Sequence, residues 1–191
     1  MVIKIEFIPK LELGWFNGWI FLMVHVVLQV IFISRCSKEV KVRLFDRGTG
    51  WTKTQKTFTL IGKVFGLINI ILIILSPLKF GSNEFILGLI IFLIGVTGLV
   101  ISILNFKNAP FDKPITTGLY KASRNPQIVT VYIIFLGYTL LIGSWLSMII
   151  LLFSFMGQHF SLLGEERRLT EQYGDSYLEY KKKVPRYFLF I

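Results

Sequence analysis

The sequence predicts an all-α protein, a polytopic bundle of about five transmembrane helices that ends in an amphipathic cytoplasmic helix. Of the 191 residues, 53% are hydrophobic and only 17% are charged, and the mean hydropathy is +0.65. Several apolar runs are long enough to cross a bilayer. The net charge of +10 arises from basic residues between those runs, a pattern typical of membrane anchoring rather than of nucleic-acid binding.

Three predicted spans occupy the first half of the chain. The first covers about 15–34 and begins with two tryptophans, which favour a membrane interface. The second covers 60–78 and ends at a Ser-Pro pair, and the third, 85–104, has no charged residue. Residues 1–14 carry charges among their apolar side chains, so we expect an interfacial segment there rather than a cleaved signal.

Two further spans are predicted at 128–142 and 145–163, separated only by Gly143 and Ser144. So short a break predicts a tight helical hairpin. Beyond the hairpin, an aromatic and basic tail forms the C-terminal helix, whose apolar stripe is Leu169, Tyr173 and Tyr177. We divide the chain into an N-terminal part, 1–104, and a C-terminal part, 105–191.

The distribution of basic residues predicts the orientation. With five spans, segments 35–59, 105–125 and 164–191 lie on one side and carry 17 of the 21 Lys and Arg residues, against 3 on the other side. Basic loops stay in the cytoplasm. The sequence therefore predicts a multi-pass integral membrane protein with its N-terminus outside and its C-terminus cytoplasmic.

Two polar clusters should meet at the cytoplasmic side. One is segment 118–127, just before the fourth span, and the other is the pair Glu165 and Glu166, just after the fifth. The two helices between them have similar lengths at about 1.5 Å per residue, so their cytoplasmic ends must lie side by side. This proximity predicts a site.

The charges of the two clusters suggest a ligand. Pro126 suits the first turn of a helix, whose free N–H groups form an anion site together with Arg124. Glu165 and Glu166 would form a cation site opposite. A ligand with a carboxylate, an ammonium and a sulfonium group, such as S-adenosylmethionine, matches this arrangement. Alternatively, Arg124 binds lipid phosphate and the glutamates are solvated.

The motifs GLYKASRNPQ and, after the hairpin, GEERRLTEQYGDSYLEYKKKVPRYF resemble the isoprenylcysteine carboxyl methyltransferase and phospholipid methyltransferase superfamily. The resemblance covers about 105–188. The matching positions are Gly118, Tyr120, Arg124, Asn125, Pro126, Glu165, Glu166, Leu169, Tyr173, Gly174, Tyr177, Tyr180 and Pro185. Two departures are Asn125, where many members have histidine, and Ile128, where a tyrosine is usual; Tyr132, one turn later, could substitute for that tyrosine.

The resemblance implies an enzyme that transfers a methyl group from S-adenosylmethionine to a lipophilic acceptor: an isoprenylcysteine carboxylate, a phospholipid amine or a small thiol. The implied cofactor-binding residues are Tyr120, Arg124, Asn125, Pro126, Gln127, Glu165 and Glu166. We expect Arg124, Glu166 and His159 to be catalytic. His159 lies seven residues before Glu166, on roughly the same helix face, and an ionisable residue within a span indicates a site.

The sequence leaves alternatives and details open. A membrane NADPH-dependent sterol or enone reductase has a related C-terminal architecture, and a non-enzymatic membrane scaffold is a third reading. Membrane lipids are the expected partners, and the oligomeric state is not predicted. His25 and Asn69 suggest interhelical polar contacts and lack the neighbours that a metal needs, so no metal site is expected.

Overall fold

A computed structural model describes residues 5–45 and 50–188. Within these residues the chain forms α-helices joined by loops, which confirms the predicted fold class. The helices are α1 (Trp19–Ser34), α2 (Lys38–Phe45), α3 (Lys53–Leu75), α4 (Asn83–Lys107), α5 (Pro126–Leu141), α6 (Trp145–Tyr173) and α7 (Asp175–Lys183). A single 3-10 turn, Gly118–Lys121, precedes α5.

Five of these helices run alternately between two ends of the bundle. At one end, the N-terminal segment, the α3–α4 connection and the α5–α6 turn bond to one another, as Glu6 N–H donates to Gly143 O at 3.0 Å and Lys79 N–H to Leu141 O at 2.9 Å. At the other end lie α2, the α4–α5 loop and the C-terminal segment. This second end holds the three basic segments of the sequence, and we call it the basic end.

Three helices, α3, α4 and α6, are long and apolar enough to cross a membrane. The other two of the five, α1 and α5, have 16 residues each, or about 24 Å, which is shorter than a typical hydrocarbon core. Large apolar side chains face outward along the long helices, for example Leu67, Leu93 and Leu152. Such a surface fits lipid rather than water.

The helix boundaries differ from the predicted spans in two important places. Helix α3 begins seven residues before the predicted span, because Thr52 and Gln55 form a capping box: each side chain bonds the other residue's backbone N–H. Helix α6 continues to Tyr173 without a break, so Glu165 and Glu166 lie inside this helix rather than after it. An uninterrupted helix holds both carboxylates rigidly.

The predicted C-terminal stripe is divided between two helices. Leu169 and Tyr173 belong to α6, whereas Tyr177 belongs to α7, because the chain breaks at Gly174 with a φ of +57° that favours glycine. Tyr177 and Tyr180 pack back against Leu169 and Tyr173. The short helix α7 is therefore folded against the end of α6.

Glycines bring α3 and α6 into backbone contact. A Cβ atom placed on Gly62 would lie 2.7 Å from Gly157 Cα, so no larger residue fits there without a shift. Gly66 lies four residues later, so that the two glycines form a G-x-x-x-G motif, and it has more room, because its Cβ would lie 3.2 Å from the Ser154 hydroxyl. Small residues at such crossings are what allow close packing inside lipid.

Helices α4 and α5 form a second close pair. A Cβ on Gly88 would lie 2.7 Å from Leu141 N, and one on Gly137 would lie 2.8 Å from Phe92 N. The hairpin turn at Gly143 is as short as predicted, but its helices pack mainly on other partners, α5 on α4 and α6 on α3. The glycine contacts thus join each helix of the hairpin to a different neighbour.

The predicted intramembrane polar residues join helices. His25 Nδ1 lies 3.1 Å from the Tyr138 hydroxyl, which links α1 to α5. The Ser147 hydroxyl donates to Asn69 Oδ1 at 2.5 Å, which links α6 to α3. Both contacts confirm the prediction of interhelical hydrogen bonds for His25 and Asn69.

Candidate functional site

A cavity of about 320 Å³ opens at the basic end of the bundle. This volume lies near the lower limit for small-molecule sites, about 300–1,000 Å³. The 105–191 region lines the cavity with Phe106, Pro114, Ile115, Tyr120, Arg124, Asn125, Gln127, Ile128, Gln158, Ser161, Glu165, Arg168, Leu169, Tyr173, Tyr177 and Tyr180. The N-terminal part adds Arg43, Leu44, Phe45, Trp51 and Lys63.

The two predicted clusters meet at this cavity. The members that line it are Tyr120, Arg124, Asn125, Gln127 and Glu165. Three other predicted site residues lie outside the lining: Pro126, Glu166 and His159. Pro126 is buried as the first residue of α5, the position that the sequence predicted. Tyr132, considered as a substitute for the missing family tyrosine, bonds Ser154 at 3.1 Å and does not line the cavity.

Glu166 is the centre of a buried ion cluster. Its carboxylate accepts from Arg124 Nη2 at 3.1 Å and from Arg186 Nε and Nη2, both at 2.9 Å, and its side chain is only 3% exposed. A buried carboxylate requires such partners, because an unpaired buried charge is costly. The hydrogen bonds with Glu166 also raise the pKa of the Arg186 guanidinium. Arg124 and Glu166 thus bind each other instead of facing a ligand from opposite sides.

Arg124 also anchors the C-terminal segment. Its backbone N–H donates to Pro185 O at 2.9 Å, while Nη1 donates to Lys181 O at 3.0 Å and to Val184 O. The neighbouring Ser123 hydroxyl donates to Arg186 O at 2.9 Å. These bonds hold the chain after α7 across the start of α5, where it closes one side of the cavity.

Glu165 is the carboxylate that faces the cavity. Its Oε1 lies 3.4 Å from the hydroxyl of Ser161, one turn earlier on α6, and both residues line the cavity. The charge of Arg168, which also lines the cavity, acts on this carboxylate. Of the two adjacent glutamates, Glu165 is the one that lines the cavity, whereas Glu166 binds the two arginines.

Two tyrosines and a glutamine form another wall. The Tyr180 hydroxyl donates to Tyr120 O at 2.6 Å, and the Gln127 side chain lies near the Tyr120 hydroxyl. Burial raises the pKa of both phenols, so they remain neutral hydrogen-bond donors. The amide nitrogen of Gln127 is buried and has no hydrogen-bond partner among the described residues. A buried donor of this kind is available to a ligand acceptor.

His159 lies beside the cavity rather than in its lining. Its Nδ1 is 2.9 Å from the Tyr187 hydroxyl, and the rings of Phe155 and Phe160 pack against this pair. Partial burial raises the pKa of Tyr187 to about 12, which keeps the phenol protonated. The surroundings of the pair are therefore aromatic, and the charges of Arg186 and Glu166 also act on His159.

Several residues of the site were not predicted from the sequence. Arg186 and Tyr187 stand in a basic tail where nothing distinguishes them from membrane anchors. Arg43 donates to Pro110 O at 2.8 Å and to the Tyr173 hydroxyl at 3.1 Å, and its guanidinium lies 5.3 Å from the centres of the Phe106 and Phe111 rings. Such long-range contacts leave no local pattern in the sequence.

Comparison with known proteins identifies similar chains. A model of the phospholipid methyltransferase family matches residues 61–176. A protein-S-isoprenylcysteine O-methyltransferase from Schizosaccharomyces pombe is 36% identical over 74 residues, which cover 37% of this chain and 30% of the relative. The alignment therefore spans less than a third of that relative's length. No solved structure matches the chain.

Proposed function

Because the chain belongs to the phospholipid methyltransferase family, we propose that it is an integral membrane methyltransferase that uses S-adenosylmethionine and acts on a lipophilic acceptor. The observation that carries the proposal is the meeting of the two sequence motifs around one cavity at the basic end. The acceptor is an isoprenylcysteine carboxylate, a phospholipid amine or a small thiol.

The residues around the cavity fit the methionyl part of the methyl donor. Glu165 offers a carboxylate for the ammonium group. The unpartnered amide nitrogen of Gln127 offers a donor for the carboxylate group. The first turn of α5 adds free backbone N–H groups, since its N-cap Asn125 makes no side-chain capping bond. S-adenosylmethionine supplies a methyl group already activated by its sulfonium sulfur.

In this proposal Arg124 and Glu166 position the site. Their ion pair fixes the start of α5 against α6 and holds the C-terminal segment in place. This arrangement sets the distance between Gln127 on α5 and Glu165 on α6, which bind the two ends of one methionyl group. Fixed geometry is the main contribution that a protein makes to an in-line displacement.

The demand for a base depends on the acceptor. A carboxylate or thiolate needs no base, whereas an amine must lose a proton. His159 with Tyr187 is the proton acceptor that we propose for an amine, because the pair is hydrogen-bonded and packs against the apolar rings of Phe155 and Phe160. The acceptor reaches the site from the bilayer, while the methyl donor enters from the cytoplasm, where we place the basic end.

We predict that the protein in detergent binds S-adenosylhomocysteine and that Glu165→Gln weakens this binding about tenfold or more, since a charge-assisted hydrogen bond contributes about 1.5–3 kcal/mol. Isothermal titration calorimetry measures both affinities. Glu171→Gln is the matched control, because Glu171 is exposed on the same helix. The acceptor is then identified by incubating membrane lipid extracts with donor carrying a labelled methyl group.

The alternatives give different results in the same measurement. A reductase would bind NADPH and not S-adenosylhomocysteine, and a scaffold would bind neither. Absence of S-adenosylhomocysteine binding by the wild-type protein, with circular dichroism showing intact helices, would end the proposal. Equal weakening by Glu165→Gln and Glu171→Gln would remove Glu165 from its proposed role.

A further inference from the structure

Trp51 brings an aromatic ring into the cavity from outside the segment that the family model matches. It lies in the connection between α2 and α3, before residue 61, where the match begins. Its side chain is half-buried and lines the cavity. Trp51 is therefore a part of the cavity wall to which neither the family match nor the two motifs assigns a role.

The neighbours of Trp51 in the chain and its contact with Gly164 determine the position of the indole ring. The preceding Gly50 has a φ of +82°, which turns the chain, and the following Thr52 caps α3. The indole lies directly on the backbone of Gly164, where an added Cβ would be 2.9 Å from Trp51 Nε1 and Cε2. Gly164 precedes Glu165, so the ring sits next to the carboxylate that faces the cavity.

The indole N–H is buried and has no acceptor among the described residues. Tryptophan is a donor only, and a buried indole N–H usually has a partner. The amide nitrogen of Gln127, in the same cavity wall, is in the same state. Two buried donors without acceptors around one cavity indicate a ligand with several acceptor atoms.

The cavity wall is divided by polarity. Leu44, Phe45 and Trp51 come from the N-terminal part, and Phe106 and Ile115 continue this apolar side. The carboxylate and amide side chains, Glu165, Gln158, Asn125 and Gln127, come from α6 and the start of α5, although Arg43 and Lys63 add charge on the N-terminal side. A ligand with a charged methionyl end and a flat purine would therefore place the purine on the apolar side. The position of Trp51 before α3, at the basic end, suits a ligand that enters from water.

We propose that Trp51 binds the purine ring of the methyl donor by stacking, with Gly164 as the surface that supports the indole. This inference rests on the proposed function and assigns the base to a specific wall of the same site. It makes the connection between α2 and α3 part of the binding site, although the motifs that identify the family lie far along the chain.

Fluorescence offers a direct test, because the chain has four tryptophans and the other three lie at the opposite end of the bundle. Trp15 and Trp19 stand at the start of α1, and Trp145 follows the α5–α6 turn. We expect S-adenosylhomocysteine to quench tryptophan emission in the wild-type protein. The quenching should persist in Trp145→Phe and disappear in Trp51→Phe.

Affinity gives a second readout. Stacking of a base on an aromatic ring contributes about 1–3 kcal/mol, so Trp51→Leu should weaken S-adenosylhomocysteine binding by about fivefold to a hundredfold in calorimetry. Adenosine alone should quench the wild-type protein at higher concentration, and methionine should not. Gly164→Ala, which displaces the indole, should reduce both quenching and affinity.

The outcomes separate this inference from the proposed function. A wild-type protein that does not bind S-adenosylhomocysteine overturns both. If it binds, quenching that survives in Trp51→Phe, or an unchanged affinity in a folded Trp51→Leu variant, overturns the role of Trp51 alone. Quenching by methionine but not by adenosine would overturn the contact with the purine. Trp51→Phe keeps an aromatic ring on Gly164, so its result holds even if Trp51→Leu fails to fold.

Discussion

A single buried carboxylate, Glu166, joins three separate parts of the chain. Arg124 precedes α5, Glu166 lies in α6, and Arg186 follows α7, yet nitrogen atoms of both guanidinium groups lie within 3.2 Å of the Glu166 carboxylate. Two cations share one anion, and Lys181 adds a third at 3.9 Å. The anion is the indispensable member, because without it the arginines repel each other in a buried place.

We predict that Glu166→Gln destabilises the protein by about 3–5 kcal/mol, the usual cost of breaking a buried ion pair. Thermal unfolding in detergent, followed by circular dichroism, should show a clear drop in Tm. Glu179→Gln, on the exposed face of α7, is the control and should leave Tm unchanged. Equal Tm values for the two variants would show that the cluster does not stabilise the fold.

At the scale of elements, two helix pairs depend on glycine contacts. The sequence draws attention to Gly62 and Gly66, but the structure uses Gly62 together with Gly157. The partner glycine lies almost a hundred residues away, and no pattern within one sequence connects the two. Spacing along a helix identifies a surface that could pack closely, whereas the choice of neighbour depends on the whole bundle.

Gly62→Ala and Gly157→Ala should each destabilise the α3–α6 pair by about 1–3 kcal/mol, since the added methyl group meets backbone that cannot move aside easily. Gly66→Ala is the matched control one turn along the same helix, where only a hydroxyl is close. The midpoint of unfolding in sodium dodecyl sulfate measures the difference. Equal midpoints for all three variants would show that close backbone contact at Gly62 and Gly157 does not stabilise the α3–α6 pair.

Local patterns in the sequence predicted part of the site, whereas contacts between distant residues could not be predicted. The length of the apolar runs predicted the helices. The short turn at Gly143 predicted that the segments of Arg124 and Glu166 lie close together, as their ion pair shows. The sequence could not predict that Glu166 is buried in an ion cluster while Glu165 lines the cavity, because this difference depends on Arg186, which follows α7. Trp51 was missed for a similar reason, since its neighbour Gly164 lies in another helix.

At the scale of the molecule, the basic end carries most of the lysine and arginine residues and the opposite end carries few. The orientation we propose places the basic end in the cytoplasm, following the distribution of lysine and arginine. The structure groups the loops in the way that this assignment requires, with α2, the α4–α5 loop and α7 at one end. Which compartment each end faces remains a prediction that labelling can test.

Single cysteines at the two ends provide that test. The native Cys36 is buried and is replaced first by serine. We predict that Lys10→Cys, at a position whose side chain is 76% exposed, reacts with a membrane-impermeant maleimide in intact cells, whereas Glu179→Cys reacts only after lysis. The reverse pattern would invert the orientation, and labelling of both positions in intact cells would contradict a spanning bundle.

The two glycine-packed pairs, α3 with α6 and α4 with α5, meet each other through fewer contacts than they make within themselves. The cavity takes Lys63 and Glu165 from one pair and Phe106 and Gln127 from the other. The volume of the cavity therefore depends on the distance between the α3–α6 pair and the α4–α5 pair. Lateral pressure in the surrounding lipid acts on that separation, so chain saturation and leaflet curvature should tune how tightly a ligand is held there, without any change in the amino acids that touch it.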